Sequence, residues 1–185
     1  MEFIEYGNPN GKPVVYFHGV PGHPEEAAIF NDCAKQHNLR IICPNRFSIP
    51  LNLNGNEYHR FLATAIDSRE LPDPINFIGF SIGAHSAIAT SELISGEIGR
   101  LHLVSAAAPL EDESYLSTMA GEKIFKAAIN FPRLFRAIAF IQSLLGKYFP
   151  AVIAKCLFYS ATGKDKELAS NRELNRPGFI GGSFI

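Results

Sequence analysis

The 185-residue sequence contains no tryptophan and only three cysteines, and neither sign of charge is in excess. With 17 Lys and Arg against 18 Asp and Glu, the formal net charge is −1, which leaves no basic surplus for binding nucleic acid. The cysteines, Cys33, Cys43 and Cys156, are odd in number and form no CxxC pair. A disulfide framework is therefore not expected, and a reducing cytoplasm is the predicted location.

Long hydrophobic runs and cofactor motifs are also lacking. No membrane span is predicted for the most apolar region, residues 134–158, because it is broken by Arg136, Lys147 and Pro150. The acidic start, Met1 to Glu5, is not typical of a signal peptide. The sequence has no dinucleotide fingerprint, phosphate loop or metal-ligand cluster, so we expect neither a cofactor nor a bound metal.

Short apolar runs alternate with helical segments over the first 108 residues. Strands are predicted at 2–6, 14–17, 39–43, 75–80 and 100–104, and helices at 24–36, 57–69 and from just after residue 81 to about 95. This alternation predicts an α/β fold, a mostly parallel sheet with helices on both faces. Beyond residue 110 only helical segments are predicted, so the domain prediction is a core at 1–110 followed by a helical region and irregular tail at 111–185.

A serine lies in a sharp strand-to-helix turn, Gly79-Phe80-Ser81-Ile82-Gly83. A serine hydroxyl is a weak nucleophile that must be exposed, aimed and placed next to a base, and such a turn exposes and aims it. The flanking glycines allow the helix to pass close to the strand, and the helix start offers the Ile82 N–H to a developing oxyanion. The five-residue pattern also arises by chance, and the strand before it and the helix after it make chance less plausible.

A second motif, His18-Gly19-Val20-Pro21-Gly22, leaves the end of another apolar strand. A loop in this position can lend a second N–H, that of Val20, to the same oxyanion. The alternative is a plain strand-to-helix connection, in which glycine and proline are common.

Four segments together, "YGNPNGKPVVYFHGVPG", "RIICPNR", "INFIGFSIGAHSA" and "RLHLVSAAAPLE", resemble consecutive landmarks of the α/β-hydrolase fold. The resemblance is to the branch with a His-Gly-x-Pro-Gly oxyanion loop and a helical cap, and it covers about residues 5–112, more loosely the cap to about 175. It implies that Ser81 is the nucleophile, that Val20 and Ile82 supply oxyanion N–H groups, and that His18 supports the loop. The helices after 112 would shape a pocket for an apolar or acyl substrate.

The sequence departs from that family at two places. The segment Pro44-Asn45-Arg46-Phe47-Ser48 lacks the aspartate and the Pro-Gly turn that the family often has there. In this fold the triad runs Ser, then Asp or Glu, then His along the chain, yet His85 and His102 are the only histidines after Ser81. We expect His85 to be a partly exposed helix residue and His102 to face a covering helix. His23 alone lies near the loop, with no acid evident to orient it.

An acidic cluster, Glu111, Asp112 and Glu113, stands where some relatives carry the triad acid, although a solvated opening of the cap is the favoured interpretation. The sequence therefore indicates a core whose last strands, with the triad acid and histidine, are missing. If the strand at 100–104 is the last, its free edge predicts a homo-oligomer.

Three functional hypotheses remain open. The first is a serine hydrolase acting on an ester, thioester or amide, impaired unless a histidine comes from elsewhere. The second is a truncated, non-catalytic relative, and the third is a binding module for small apolar ligands. Each predicts a small apolar or acyl molecule as the partner, with no nucleic acid and no membrane span.

Overall fold

The computed structural model of the chain describes residues 1–20, 22–50, 52–107, 113–117 and 122–149. Its internal contacts divide the chain into two compact units, Met1–Ala107 and Ala108–Ile185. The domain assignment made from the sequence, with its boundary at 110, stays a prediction.

Five strands form one sheet in the first unit, in the spatial order β1-β3-β2-β4-β5. The strands are β1 (Phe3–Gly7), β2 (Lys12–Phe17), β3 (Leu39–Pro44), β4 (Ile75–Phe80) and β5 (Ile98–Val104). β1 runs antiparallel to β3, while the pairs β2–β3, β2–β4 and β4–β5 are parallel. The predicted mostly parallel sheet is therefore confirmed.

The helices of this unit are α1 (Asn31–Gln36), α2 (Gly55–Asp67) and α3 (Gly83–Ser91), with short 3-10 helices at Pro24–Phe30 and Arg46–Ser48. The single helix predicted at 24–36 is thus a 3-10 segment followed by a short α-helix. The start of α2 is defined by a capping box, in which Asn54 accepts from the Glu57 N–H at 3.0 Å and Glu57 accepts from the Asn54 N–H at 2.9 Å.

Helices cover both faces of the sheet. Alternate residues of each strand point to opposite sides, so the apolar strands present an apolar surface on each face. On one face, Phe17 and Phe77 pack with Leu62 and Ile66 of α2, and Ala87 of α3 lies in the same cluster. On the other face, Tyr16, Ile41 and Cys43 pack against Ala27 and Ala34. Helices on both faces of an α/β sheet were predicted, and this is confirmed.

β5 is an edge strand that, among the described residues, pairs only with β4. Leu101, Leu103 and Val104 keep 37–45% of their surface exposed. The expectation that His102 faces a covering helix is wrong, because His102 is exposed and lines an open groove beside Ile78. α1, on that side of the sheet, packs on β1 and β3 rather than on β5.

In the second unit the described residues form α4 (Glu113–Leu116), α5 (Glu122–Asn130) and α6 (Pro132–Tyr148). Glu122 and Lys126 of α5 form an ion pair at 2.6 Å. Apolar side chains on these helices, including Ile124 and Leu134, are largely exposed. The helical segments predicted between 150 and 175 lie outside the described residues. No described helix combines the length and the apolar character needed to cross a membrane.

Candidate active site

The turn after β4 gives Ser81 an unusual backbone. Its φ is +54°, a region that non-glycine residues enter rarely and at a cost of about 1–3 kcal/mol. The Ser81 N–H still donates to the Val104 carbonyl at 3.0 Å, so the β4–β5 ladder reaches the turn. The Ser81 carbonyl accepts from the Ala84 N–H at 3.1 Å, which starts the chain into α3. Ser81 therefore sits half-buried at the junction of strand and helix.

The glycines on either side of Ser81 are required by close packing. A Cβ on Gly83 would lie 2.2 Å from the Phe17 carbonyl oxygen, and a Cβ on Gly79 would lie 2.5 Å from Ala84 Cα. The first turn of α3 is thus pressed directly against the end of β2. Parallel pairing places Phe17 opposite Gly79, so β2 and β4 end at the same edge of the sheet.

The loop after β2 lies beside Ser81. A Cβ on Gly19 would be 3.2 Å from Ser81 Cβ and 3.0 Å from the Phe80 ring. The two motifs, some 60 residues apart in sequence, therefore meet in one place. Pro21 lies outside the described residues.

Two backbone N–H groups at this place are free to bind a ligand. Among the described residues, neither the Val20 N–H nor the Ile82 N–H has a hydrogen-bond acceptor. Ile82 immediately precedes α3, where the first N–H groups of a helix have no intrahelical partner. Unpaired N–H groups beside a serine are the feature that binds an oxyanion, although the roles assigned to Val20 and Ile82 stay a prediction.

A partly buried polar cluster that the sequence did not reveal surrounds Gly19. Glu26 Oε1 accepts from the Tyr16 hydroxyl at 2.8 Å and from the Gly19 N–H at 3.4 Å. The Gly19 carbonyl accepts from Arg46 Nη2 at 2.7 Å, and His18 Nδ1 lies 3.2 Å from the same oxygen. Glu26 lies in the first turn of the 3-10 helix Pro24–Phe30, where the sequence pattern indicates only a favourable charge at a helix N-terminus. The one sequence signal for Arg46 was its place in the Pro-Asn-Arg segment.

Burial sets the charges in this cluster. It lowers the pKa of His18 to about 3, so the ring is neutral and Nδ1–H donates to the Gly19 carbonyl. Burial also lowers the pKa of Arg46, which Tyr58 and Glu26 partly offset, and it raises the pKa of Tyr16. His18 Nε2 has no partner among the described residues. Beside it lies a small cavity of about 20 Å³, lined also by Arg46, Tyr58 and Ser86.

No histidine is placed to act as a base. All six histidines lie in the described residues, and none hydrogen-bonds the Ser81 hydroxyl. His85 is half-buried, as expected, and its Nε2 contacts the Ala107 carbonyl at 3.0 Å. The expectation that His23 lacks a nearby acid is wrong, because Glu25 Oε2 lies 3.7 Å from its Nδ1. That ring stacks on Phe47 with 6.0 Å between centroids.

An open groove of about 760 Å³ lies elsewhere on the sheet. Its lining comes from Lys12–Val14 at the start of β2, the 72–74 turn and β5, and none of it belongs to the two turns beside Ser81. The described residues contain no group of three or more His, Cys, Asp or Glu side chains able to hold a metal ion. Glu111 and Asp112, weighed as triad acids, lie outside the described residues, while Glu113 begins α4.

Comparison with known proteins supports the fold. No protein-family model matches the sequence, and no curated protein matches it. The structure is similar to an esterase from Exiguobacterium antarcticum (TM-score 0.56, 17% identity, 77% of this chain and 56% of that chain covered). It is also similar to a thermophilic esterase from Thermogutta terrifontis (TM-score 0.55, 18% identity, 99% of this chain and 62% of that chain covered). A third similar structure is a bromoperoxidase from Bacillus anthracis (TM-score 0.55, 19% identity, 80% of this chain and 55% of that chain covered).

At these identities the likeness shows the fold alone, which is that of the α/β hydrolases. The chain spans only 55–62% of the length of these three proteins.

Proposed function

We propose that this chain is a serine hydrolase-like member of the α/β-hydrolase family, directed at an ester, thioester or amide with a small apolar acyl group. Ser81 is the nucleophile, and the N–H groups of Val20 and Ile82 bind the oxyanion. Two of the similar structures are esterases, which agrees with this substrate class. The activity of these 185 residues is weak or absent, because none of the histidines, all of which lie in the described residues, hydrogen-bonds the Ser81 hydroxyl.

The observation that carries the proposal is the left-handed backbone of Ser81, with φ of +54°, against the Gly19 loop. A strained residue persists only when its surroundings hold it there, and such strain clusters at functional sites. Here the close contacts at Gly79 and Gly83 hold the backbone in place. Packing alone does not account for the two N–H groups beside Ser81 that have no acceptor among the described residues.

The weakness of the activity follows from proton transfer. Attack by the hydroxyl requires a base within hydrogen-bond reach to take its proton. Loss of the histidine from a Ser-His-Asp system lowers turnover on the order of a millionfold, and the oxyanion donors retain a small residual activity.

The test is labelling with a fluorophosphonate, in which the Ser81 oxygen bonds to phosphorus, fluoride leaves and the proton passes to solvent. We expect slow labelling whose rate rises with hydroxide concentration, with no inflection near pH 7, because no histidine acts as base. Ser81→Ala should abolish it. Ser105→Ala is the matched control, since Ser105 is exposed and also has a positive φ, of 46°, but lacks the flanking glycines.

Labelling that persists in Ser81→Ala contradicts the nucleophile assignment. Rapid labelling of the wild type with an inflection near pH 7 contradicts the missing base, and His23→Ala is then the variant to examine. If there is no labelling but short acyl esters bind saturably, the chain is better explained as a binding module. The observation that favours this alternative is that no histidine hydrogen-bonds the Ser81 hydroxyl.

A further inference from the structure

The peptide between Gly19 and Val20 is held from one side by two donors. Arg46 Nη2 donates to the Gly19 carbonyl at 2.7 Å, and the neutral His18 ring reaches the same oxygen at 3.2 Å. His18 is buried and Arg46 is half-buried, and Arg46 is further fixed by its stacking on Phe47, with the guanidinium carbon 5.1 Å from the ring centroid. The orientation of this peptide is therefore set by side chains and not by regular secondary structure.

A trans peptide places its carbonyl and its N–H on opposite sides of the C–N bond, in one plane. Fixing the Gly19 carbonyl towards Arg46 and His18 thus fixes the Val20 N–H in the opposite direction. We propose that Arg46 is a positioning residue, which aims the Val20 N–H at the oxyanion formed on Ser81, acting beside His18, whose support of the loop the family resemblance already implies. This inference rests on the proposed function for the identity of the anion.

Glu26 completes the arrangement from the other side of Gly19. Its carboxylate accepts from the Gly19 N–H at 3.4 Å and is held by the Tyr16 hydroxyl at 2.8 Å. Gly19 is thus held at its N–H by an anion and at its carbonyl by a cation. Because charged partners give stronger hydrogen bonds, and bonds in series polarise one another, the arginine also makes the Val20 N–H a stronger donor.

One test needs no activity. The Val20 amide resonance of the ¹⁵N-labelled chain reports on the hydrogen bond to the carbonyl of its own peptide. Arg46→Met keeps the bulk of the side chain but removes the donor, and should move the Val20 N–H signal upfield. In Arg46→Lys, which retains one charged donor, the Val20 N–H signal should lie between its positions in the wild type and in Arg46→Met. Arg40→Met is the matched control, because Arg40 pairs with Glu5 at the opposite end of the strands and should leave Val20 unmoved.

A second test measures anion binding. Phenylboronic acid forms a bond between boron and the Ser81 oxygen, releasing the hydroxyl proton to solvent and leaving a tetrahedral anion that ¹¹B NMR detects. We expect about tenfold weaker binding by Arg46→Met, a moderate loss for a donor that is misaligned rather than deleted. Arg40→Met should bind as the wild type does. If circular dichroism shows that Arg46→Met is unfolded, Arg46→Lys replaces it in both tests.

The two proposals fail in different ways. If the wild type binds phenylboronic acid through Ser81 but Arg46→Met binds equally well and leaves the Val20 signal unmoved, the positioning role is refuted while the proposed function stands. If Ser81→Ala binds as the wild type does, or the wild type forms no tetrahedral adduct, the proposed function is refuted. The Val20 resonance then still decides whether Arg46 orients this peptide.

Discussion

Replacing Gly83 by alanine tests the close approach that brings the two motifs together. The added Cβ would lie 2.2 Å from the Phe17 carbonyl oxygen and 2.7 Å from that of His18. Both oxygens belong to backbone at the end of β2, which is held in the sheet by its pairing with β4. Relief of the overlap therefore requires either the strand or the first turn of α3 to move by more than an ångström.

The magnitude follows from two opposing effects. Forcing an extra methyl group into a packed site costs roughly 1–3 kcal/mol and sometimes more, and a backbone obstacle places Gly83 at the upper end. Alanine also reduces the conformational entropy of the unfolded chain, which stabilises the folded state by about 0.4–1 kcal/mol. We expect the free energy of unfolding to fall by about 2 kcal/mol, a sizeable part of the total stability of a small domain.

Urea denaturation followed by circular dichroism measures this change. With a slope of about 2 kcal/mol per molar urea, the midpoint should fall by about 1 M. Gly55→Ala is the control, because Gly55 begins α2 and a Cβ there meets no atom within 4 Å. It should leave the midpoint unchanged or raise it slightly. A Gly83→Ala variant as stable as the wild type would refute the close approach, and an equal loss in Gly55→Ala would show that the effect is not specific to the turn.

Three further predictions concern the protonation of His18, self-association through β5 and the hydrogen bond between Tyr16 and Glu26. Since the unfolded chain protonates His18 near pH 6.5 and the folded chain only at about 3, stability should decrease as the pH falls from 7 to 5, by about 2 kcal/mol. His18→Asn should remove most of that dependence in urea titrations, and an unchanged dependence would contradict a neutral buried ring. The free edge of β5 should promote self-association in sedimentation experiments. Leu103→Lys should weaken that association, whereas Ile29→Lys, an exposed residue outside β5, should not, and a wild type that stays monomeric would contradict this. Tyr16→Phe should cost about 1 kcal/mol by removing one hydrogen bond from Glu26, and a variant of unchanged stability would argue that Glu26 does not depend on it.

Local signals predicted the framework of the sheet well. The strand predicted at 75–80 coincides with β4, because a buried apolar run between a Pro-Asp-Pro turn and a glycine has few alternatives. The helix predicted to end at 36 does end there, and Asn38, two residues later, has a φ of +54°, a left-handed conformation that asparagine adopts after helix C-termini. α3, in contrast, ends at Ser91 and not near 95. The Ser95 N–H is instead bound by the carboxylate of Asp67 at 3.2 Å, a contact with the end of α2 that no local pattern contains.

The sequence pointed to some residues of the candidate site and not to others, and the difference has a physical reason. Ser81, Val20 and Ile82 were singled out because glycine spacing at a strand end is a local feature. Glu26 and Arg46 were not recognised as members of the site, because their importance depends on contacts with Gly19, 7 and 27 residues away in sequence. His102 was misplaced for a related reason: strand periodicity predicts which face a side chain takes, but not whether a helix covers that face.

The site separates two requirements of acyl transfer that are usually studied together. If the proposed function is correct, presentation of the Ser81 hydroxyl and of two N–H donors depends on the parallel ends of β2 and β4 and on side chains within Met1–Ala107. Proton removal depends on a base, and none of the six histidines hydrogen-bonds the Ser81 hydroxyl. Because tetrahedral anion binding uses the first set of groups and attack on an ester needs both, substitutions around Gly19 should lower the affinity for a boronic acid and the turnover of an ester together. A change in the base should instead alter the turnover and leave the affinity for the anion unchanged.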